Sequence, residues 1–143
     1  MKFRHYLSVF LLIFVVSATG TFIARIFWPG EQISIPDGFN LVFCHARVRC
    51  PICEKMETLI HQTLDEFGHN KRIQLFSLEY DALENADFAN RFHVGTASII
   101  LIDKRDGQVV KSRDLTMEVW EFVSDDDAFL KMLDRELRET FGK

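Results

Sequence analysis

The feature that most limits how this chain can fold is a Cys-x-x-Cys motif between a strand-like segment and a helix-like one. Phe39–Cys44 is largely apolar and is typical of a strand. From Cys50 to Phe67 the apolar residues return about every 3.6 positions, which predicts an amphipathic helix. The motif Cys50-Pro51-Ile52-Cys53 therefore lies where the first strand gives way to the first helix.

This position favours redox chemistry at the two thiols. Unpaired amides and the dipole at a helix N-terminus favour an anion, so a thiol there loses its proton more easily. Pro51 falls at the first helical position, where an amide hydrogen would have no partner. Cys53 lies one turn along, near enough to form a disulfide with Cys50. We expect Cys50 to be the exposed attacking thiolate and Cys53 the partly buried resolving thiol.

Charged residues flank the motif on both sides. Arg47 and Arg49 would add positive potential at its mouth, whereas Glu54 and Glu57 would oppose it. The pattern alone leaves the balance between the two signs open.

Beyond the first helix, the patterns predict a strand at Ile73–Leu78 and a short helix at Leu83–Phe92. They then predict a strand at Ser98–Ile102, a turn at 103–107 and a hairpin partner strand at Gln108–Lys111. A last helix is expected to begin at Ser124, whose hydroxyl would cap it. Trp120 and Phe122 are expected in the preceding connection, as core residues. The predicted order is β-α-β-α-β-β-α, an α/β fold.

The N-terminal part differs sharply in charge from the rest. Of the 17 basic and 21 acidic residues, residues 1–30 hold only three basic ones and no acid. Tyr6–Ala24 is a run of 19 residues without charge, nearly long enough as a helix to cross a hydrocarbon core of about 30 Å. Because Lys2 and Arg4 precede it, the positive-inside rule places the following domain outside the cytoplasm.

We therefore predict a signal anchor or transmembrane helix at residues 1–28, a linker at 29–38 and a folded domain at 39–143. The protein would be a single-pass protein of the cytoplasmic membrane, with its C-terminal domain in the periplasm or another extracytoplasmic space. The alternative is a secretory signal cleaved near Val16-Ser17-Ala18, which would make the domain a secreted protein. The net charge of −4 argues against nucleic acid as a main partner.

A metal site is the competing interpretation of the cysteines. Zinc sites of the Cys₄ or Cys₂His₂ kind usually need a second ligand pair at short spacing, and the sequence has none. Cys44 and His45 are the candidates for further ligands. Cys44, at the end of an apolar strand, is also typical of a buried inert thiol, or of a third cysteine that forms a regulatory disulfide.

The order of elements and the position of the motif resemble the thioredoxin superfamily over about Phe39 to Phe141. The run VFCHARVRCPICEKMETL, with the stretch from Trp120 to Asp125, also resembles a poorly characterised bacterial group of membrane-anchored thioredoxin-domain proteins. The resemblance implies a four-stranded mixed sheet flanked by helices, and it places the family's redox cysteines at Cys50 and Cys53.

The chain departs from the family's pattern at two positions. Thioredoxins carry a cis-proline just before the third strand, facing the cysteines, and the alignment puts Ser98 there. A cis bond before serine would cost about 2.5–4 kcal/mol, so we expect a trans bond and a hydroxyl able to donate to the Cys50 sulfur. The buried acid of many thioredoxins has no counterpart in the first strand, so proton transfer would need water, His45 or a nearby glutamate.

Three functions follow as hypotheses. The first is a membrane-anchored thiol-disulfide oxidoreductase, with no cofactor beyond the Cys50–Cys53 pair, acting on protein thiols or disulfides and supplied by a membrane electron donor. The second is a copper or iron–sulfur carrier using both cysteines with His45 or Cys44. The third is a non-catalytic interaction domain in which the cysteines form a permanent disulfide.

Overall fold

The computed structural model describes Val15, residues 35–67 and residues 73–142. The strands are β1 (Gly38–His45), β2 (Ile73–Glu79), β3 (Ser98–Arg105) and β4 (Gln108–Asp114). The helices are α1 (Pro51–Glu66), α2 (Ala86–Arg91, preceded by a 3₁₀ turn at Leu83–Asn85), α3 (Thr116–Phe122) and α4 (Asp126–Phe141). The predicted anchor lies outside the described residues apart from Val15. Among the described residues, no helix is long and apolar enough to cross a membrane.

The four strands form one mixed sheet in the order β2-β1-β3-β4. β1 and β2 run parallel, with α1 in the connection between them, as parallel neighbours require. β3 is antiparallel to β1, and β4 is antiparallel to β3. The sheet and its flanking helices make the thioredoxin-like α/β fold that the sequence predicts.

The central strands are buried on both faces, and each face carries its own core. Leu41 and Phe43 of β1 pack with residues of α1 and α4, whereas Val42 and Cys44 pack on the other face, where Phe88 of α2 lies. This alternation follows from the two-residue period of a strand. Cross-strand partners share a face, so Ser98, which pairs with Cys44, lies on the Cys44 side of the sheet.

The structure corrects three details of the predicted elements. α4 begins at Asp126 rather than Ser124, because the Asp125 carboxylate accepts a hydrogen bond of 3.0 Å from the Ala128 amide and caps the helix. β3 continues through Arg105, and the hairpin turns at Asp106 and Gly107, whose φ angles of 52° and 75° suit a two-residue turn. The connection expected around Trp120 is helix α3.

Candidate functional site: a cysteine pair at the start of α1

The cysteine pair lies where the short loop after β1 enters α1. Cys50 is the N-cap residue, with extended backbone angles of φ −104° and ψ 159°, and Pro51 occupies the first helical position. The Cys50 side chain makes no capping hydrogen bond to the helix. Because Cys50 is the N-cap, its thiol lies at the positive end of a 16-residue helix, as the sequence predicts.

The two thiols are free and lie side by side. Cys50 Sγ and Cys53 Sγ are 3.1 Å apart, within hydrogen-bond distance, with Cys50 half-buried and Cys53 only 5% exposed. The hydrogen bond between the two thiols lowers the pKa of Cys50, and the nearby backbone amides at the start of the helix lower it further. Burial and the same hydrogen bond raise the pKa of Cys53. This asymmetry suits an attacking thiolate at Cys50 and a protonated thiol waiting at Cys53.

Arg49 is held by a polar cluster behind the motif. Its Nη1 donates to Glu57 of α1, and its Nη2 lies 3.2 Å from His45 Nε2 and 3.3 Å from Ser77 Oγ. His45 is buried at the end of β1, where its Nδ1 lies 2.8 Å from the Ala46 carbonyl oxygen. A carbonyl only accepts, so Nδ1 carries the hydrogen and Nε2 is left to accept from its neighbours.

Arg47 is engaged elsewhere. Its side chain pairs with Glu79 at the end of β2, at 3.2 Å, and its backbone amide donates to Asp81 at 2.9 Å. The two arginines near the motif are therefore each bound to a carboxylate. Only Arg49 acts on the pair directly, since its charge lowers the pKa of Cys53 in opposition to burial.

Ser98 does not lie where the alignment predicted. It is buried beside Cys44, on the face of the sheet opposite the cysteine pair, so it cannot donate to the Cys50 sulfur. Its hydroxyl is close enough to lower the pKa of Cys44, although its geometry falls short of a regular hydrogen bond. The prediction fails because β3 begins at Ser98 and alternation turns the first residue of the strand away from α1.

Ala97, the residue before Ser98, lies on the face of the sheet that carries the cysteine cluster instead. It is 4% exposed and belongs to the same packed cluster as Cys50 and Cys53. Its carbonyl oxygen accepts a hydrogen bond of 2.9 Å from Nε1 of Trp120. Within the described residues all peptide bonds are trans, including the one before Ser98.

The rim of the site is apolar. Val48 in the loop is 83% exposed, and Ile52 between the cysteines is 43% exposed. Trp120, which the sequence placed in the core, is 41% exposed, and only its ring nitrogen is tied down. Pro51 is exposed as well, and Cys50 itself is half-buried.

The residues proposed as additional metal ligands are not gathered at the motif. Cys44 lies on the opposite face of the sheet, and both ring nitrogens of His45 have partners within 3.2 Å. Within residues 35–67 and 73–142, together with Val15, no group of three or more His, Cys, Asp or Glu side chains could hold a metal ion.

The sequence did not identify Ser77 or Ala97 as residues of the site, and it did not predict the hydrogen bond that Trp120 donates to Ala97. Ser77 is one of three polar residues in β2, so the strand's pattern does not single it out; the pairing of β1 with β2 places it opposite Phe43, within 2.9 Å of the His45 ring. Nothing in the pattern around Ala97 or Trp120 indicates that they meet.

No protein-family model and no curated protein matches the sequence. Among solved structures, the chain is similar to a malarial protein at 19% identity, over 71% of this chain and 99% of that chain, with a TM-score of 0.44. It is similar to Trxlp from Edwardsiella tarda at 19% identity, over 70% and 82% of the two chains, with a TM-score of 0.43. Mitochondrial thioredoxin 3 from Saccharomyces cerevisiae, in its oxidized form, is 15% identical over 62% and 79%, with a TM-score of 0.40.

Proposed function

We propose that the protein is a thiol-disulfide oxidoreductase whose redox centre is the Cys50–Cys53 pair. The observation that carries the proposal is the arrangement of the two sulfurs. A half-buried thiol at a helix N-terminus lies 3.1 Å from a buried thiol, within hydrogen-bond distance. One sulfur is thus prepared to attack a disulfide, and the other is prepared to close the ring behind it.

The reaction would run in two exchanges. The Cys50 thiolate attacks one sulfur of a substrate disulfide, forming a mixed disulfide and releasing the other substrate sulfur as a thiolate, which takes up a proton. Cys53 then gives its proton to solvent and attacks Cys50 Sγ. The Cys50–Cys53 bond forms, the bond to the substrate breaks, and the second substrate sulfur leaves as a thiolate. The substrate gains two electrons and the pair loses them; the reverse sequence would oxidise a dithiol.

We further propose that the domain works outside the cytoplasm, anchored by the segment around Tyr6–Ala24. The support is the uncharged run of 19 residues with Lys2 and Arg4 ahead of it. A membrane dithiol donor would then return electrons to the pair. Labelling of Cys50 in intact cells by a membrane-impermeant maleimide tests the orientation. Labelling only after the membrane is opened would contradict it.

A redox titration tests the exchange function. The full-length chain in detergent micelles is equilibrated in glutathione buffers of graded potential, its free thiols are trapped with an alkylating mass tag, and the peptides are mapped. The expected result is a reversible two-electron transition confined to Cys50 and Cys53, between about −270 and −120 mV. A pair that stays oxidised at every potential would instead indicate a structural disulfide. Thiols that resist alkylation until a chelator is added would indicate a metal carrier.

A further inference from the structure

The Arg49 guanidinium is bound to Glu57, a residue of α1 that neighbours the resolving cysteine Cys53 along the helix. Cys53 and Glu57 are four residues apart on this helix, so their side chains are neighbours on one face, with Cβ atoms about 5–6 Å apart. The Arg49 guanidinium is bound to that Glu57 carboxylate. Because Arg49 is bound to Glu57, its guanidinium lies on the side of α1 that carries Cys53.

The other end of the guanidinium is held just as specifically. Nη2 of Arg49 lies within 3.3 Å of both His45, the last residue of β1, and Ser77, near the end of the parallel strand β2. Ser77 Oγ and His45 Nε2 are themselves 2.9 Å apart. Three elements therefore hold one cation: α1 through Glu57, β1 through His45 and β2 through Ser77. A side chain gripped this way loses little further freedom when charge develops beside it.

We propose that Arg49 is a positioning residue for the second exchange, in which its held charge favours the Cys53 thiolate that attacks Cys50. This inference rests on the proposed exchange function. It also explains how Cys53 could be deprotonated although the first strand has no carboxylate to accept its proton. Phe39–Cys44 has no acid that could accept the proton, and the Arg49 cation would stabilise the thiolate while the proton leaves to solvent.

Among the described residues, other charged side chains of α1 and α3 are exposed or have partners of their own, and Glu57 is bound to Arg49 itself. On α1, Glu54 is exposed, and Lys55 pairs with Asp126 of α4 at 2.6 Å. On the side of α3, Glu118 pairs with Arg113 of β4 at 2.8 Å.

From the direction of β3 the neighbour is Ala97, which has no ionisable group, and from β1 it is His45, whose ring contacts Arg49. Cys50 and Arg49 are the ionisable residues that act on the Cys53 thiol, where Cys50 raises its pKa and Arg49 lowers it. Burial outweighs Arg49, so the pKa of Cys53 is raised overall.

Stopped-flow exchange with dithiodipyridine, a neutral aromatic disulfide, separates the two steps. The full-length reduced chain in detergent should release thiopyridone in two phases, the first from attack by Cys50 and the second from resolution by Cys53. Cys53→Ser should abolish the second phase and so assign it. The rate of each phase is measured across a pH series, because the thiolate fraction sets the rate.

In Arg49→Gln we expect the second phase to slow roughly three- to tenfold near neutral pH and its pH profile to move upward, because removal of the cation lowers the fraction of Cys53 that is present as thiolate. Arg47→Gln is the matched control, a neighbouring arginine bound to Glu79. It should leave the second phase unchanged. Arg49→Lys keeps the positive charge but cannot bind Glu57 and the His45–Ser77 pair at the same time. The rate of its second phase should fall between those of the wild type and Arg49→Gln.

An Arg49→Gln second phase that matches Arg47→Gln at every pH would overturn the inference. If Arg49→Gln does not fold, Arg49→Lys decides, and a second phase equal to that of the wild type overturns it. The proposed function fails in a different way, through a wild-type chain that releases no second equivalent of thiopyridone.

Discussion

The indole nitrogen of Trp120 donates a hydrogen bond of 2.9 Å to the carbonyl oxygen of Ala97. The bond joins α3 to the residue that precedes β3 and packs in the cluster of Cys50 and Cys53. Helix α3 is thus joined to the start of β3 through the side chain of Trp120, which is 41% exposed. The Trp120 hydrogen bond therefore fixes the residue before β3 to α3, the helix that follows the β3–β4 hairpin.

Removing that hydrogen bond should loosen the segment before β3. Trp120→Phe keeps an aromatic ring but leaves the Ala97 carbonyl without its donor, which should lower the free energy of unfolding by about 1 kcal/mol. Urea denaturation measures the loss, and hydrogen exchange at residues 96–98 should speed up. Met117→Ala, one turn earlier and 79% exposed, is the control and should change neither. Equal stability of Trp120→Phe and the wild type would show that the hydrogen bond contributes nothing.

Replacing each cysteine by serine should separate the two roles. Cys50→Ser should form no mixed disulfide with a disulfide peptide, since the two remaining thiols, Cys44 and Cys53, are buried and the pKa of each is raised. Cys53→Ser should accumulate a stable mixed disulfide at Cys50, because nothing is left to resolve it. Intact-protein mass spectrometry reads both results. Trapping at Cys53 in the Cys50→Ser variant would reverse the assignment.

Cys44 should make stability fall at alkaline pH. Burial raises its pKa from 9.0 to about 12, so the folded state holds this proton more tightly than the unfolded state does. The contribution is intact below pH 9.0 and is lost as the pH rises toward 12. The fall in unfolding free energy from about pH 8 to about pH 11 should therefore be smaller in Cys44→Ala than in the wild type.

The alkaline prediction has an independent check. Iodoacetamide should modify Cys50 in the native protein below the pH at which ordinary thiols react, because the pKa of Cys50 is lowered. Cys44 should stay unmodified until the protein unfolds. Native-state alkylation of Cys44 at a rate similar to Cys50 would contradict the burial that raises its pKa.

The start of α4 offers a comparison between neighbouring residues. Asp125→Ala removes the carboxylate that accepts from the Ala128 amide and should cost about 1 kcal/mol of stability. Ser124→Ala removes an exposed hydroxyl that caps nothing in the observed helix and should change stability little. Thermal or urea unfolding of the two variants distinguishes them, and an equal loss in both would show that the cap is shared.

Much of the fold was predictable because its signals are local. The apolar run of β1, the helical spacing of α1 and the turn at Asp106-Gly107 each depend on residues close in sequence. Helix α3 was missed because seven residues from Thr116 to Phe122 are too few for a clear period. The start of α4 was misplaced because Ser124 and Asp125 are both good caps, and only the backbone angles decide between them.

The site divides in the same way. Sequence alone determined that two cysteines one turn apart open a helix, because an amphipathic period and a proline at the first position specify a helix start. Tertiary structure alone decided which side chains surround them. Ser98 fell on the wrong face, Ala97 met Trp120, and Arg49 reached Glu57, His45 and Ser77. The contacts of Ala97 with Trp120 and of Arg49 with Ser77 join residues more than 20 positions apart, and even the nearer contacts of Arg49 depend on how the loop after β1 packs against α1, so no local pattern encodes them.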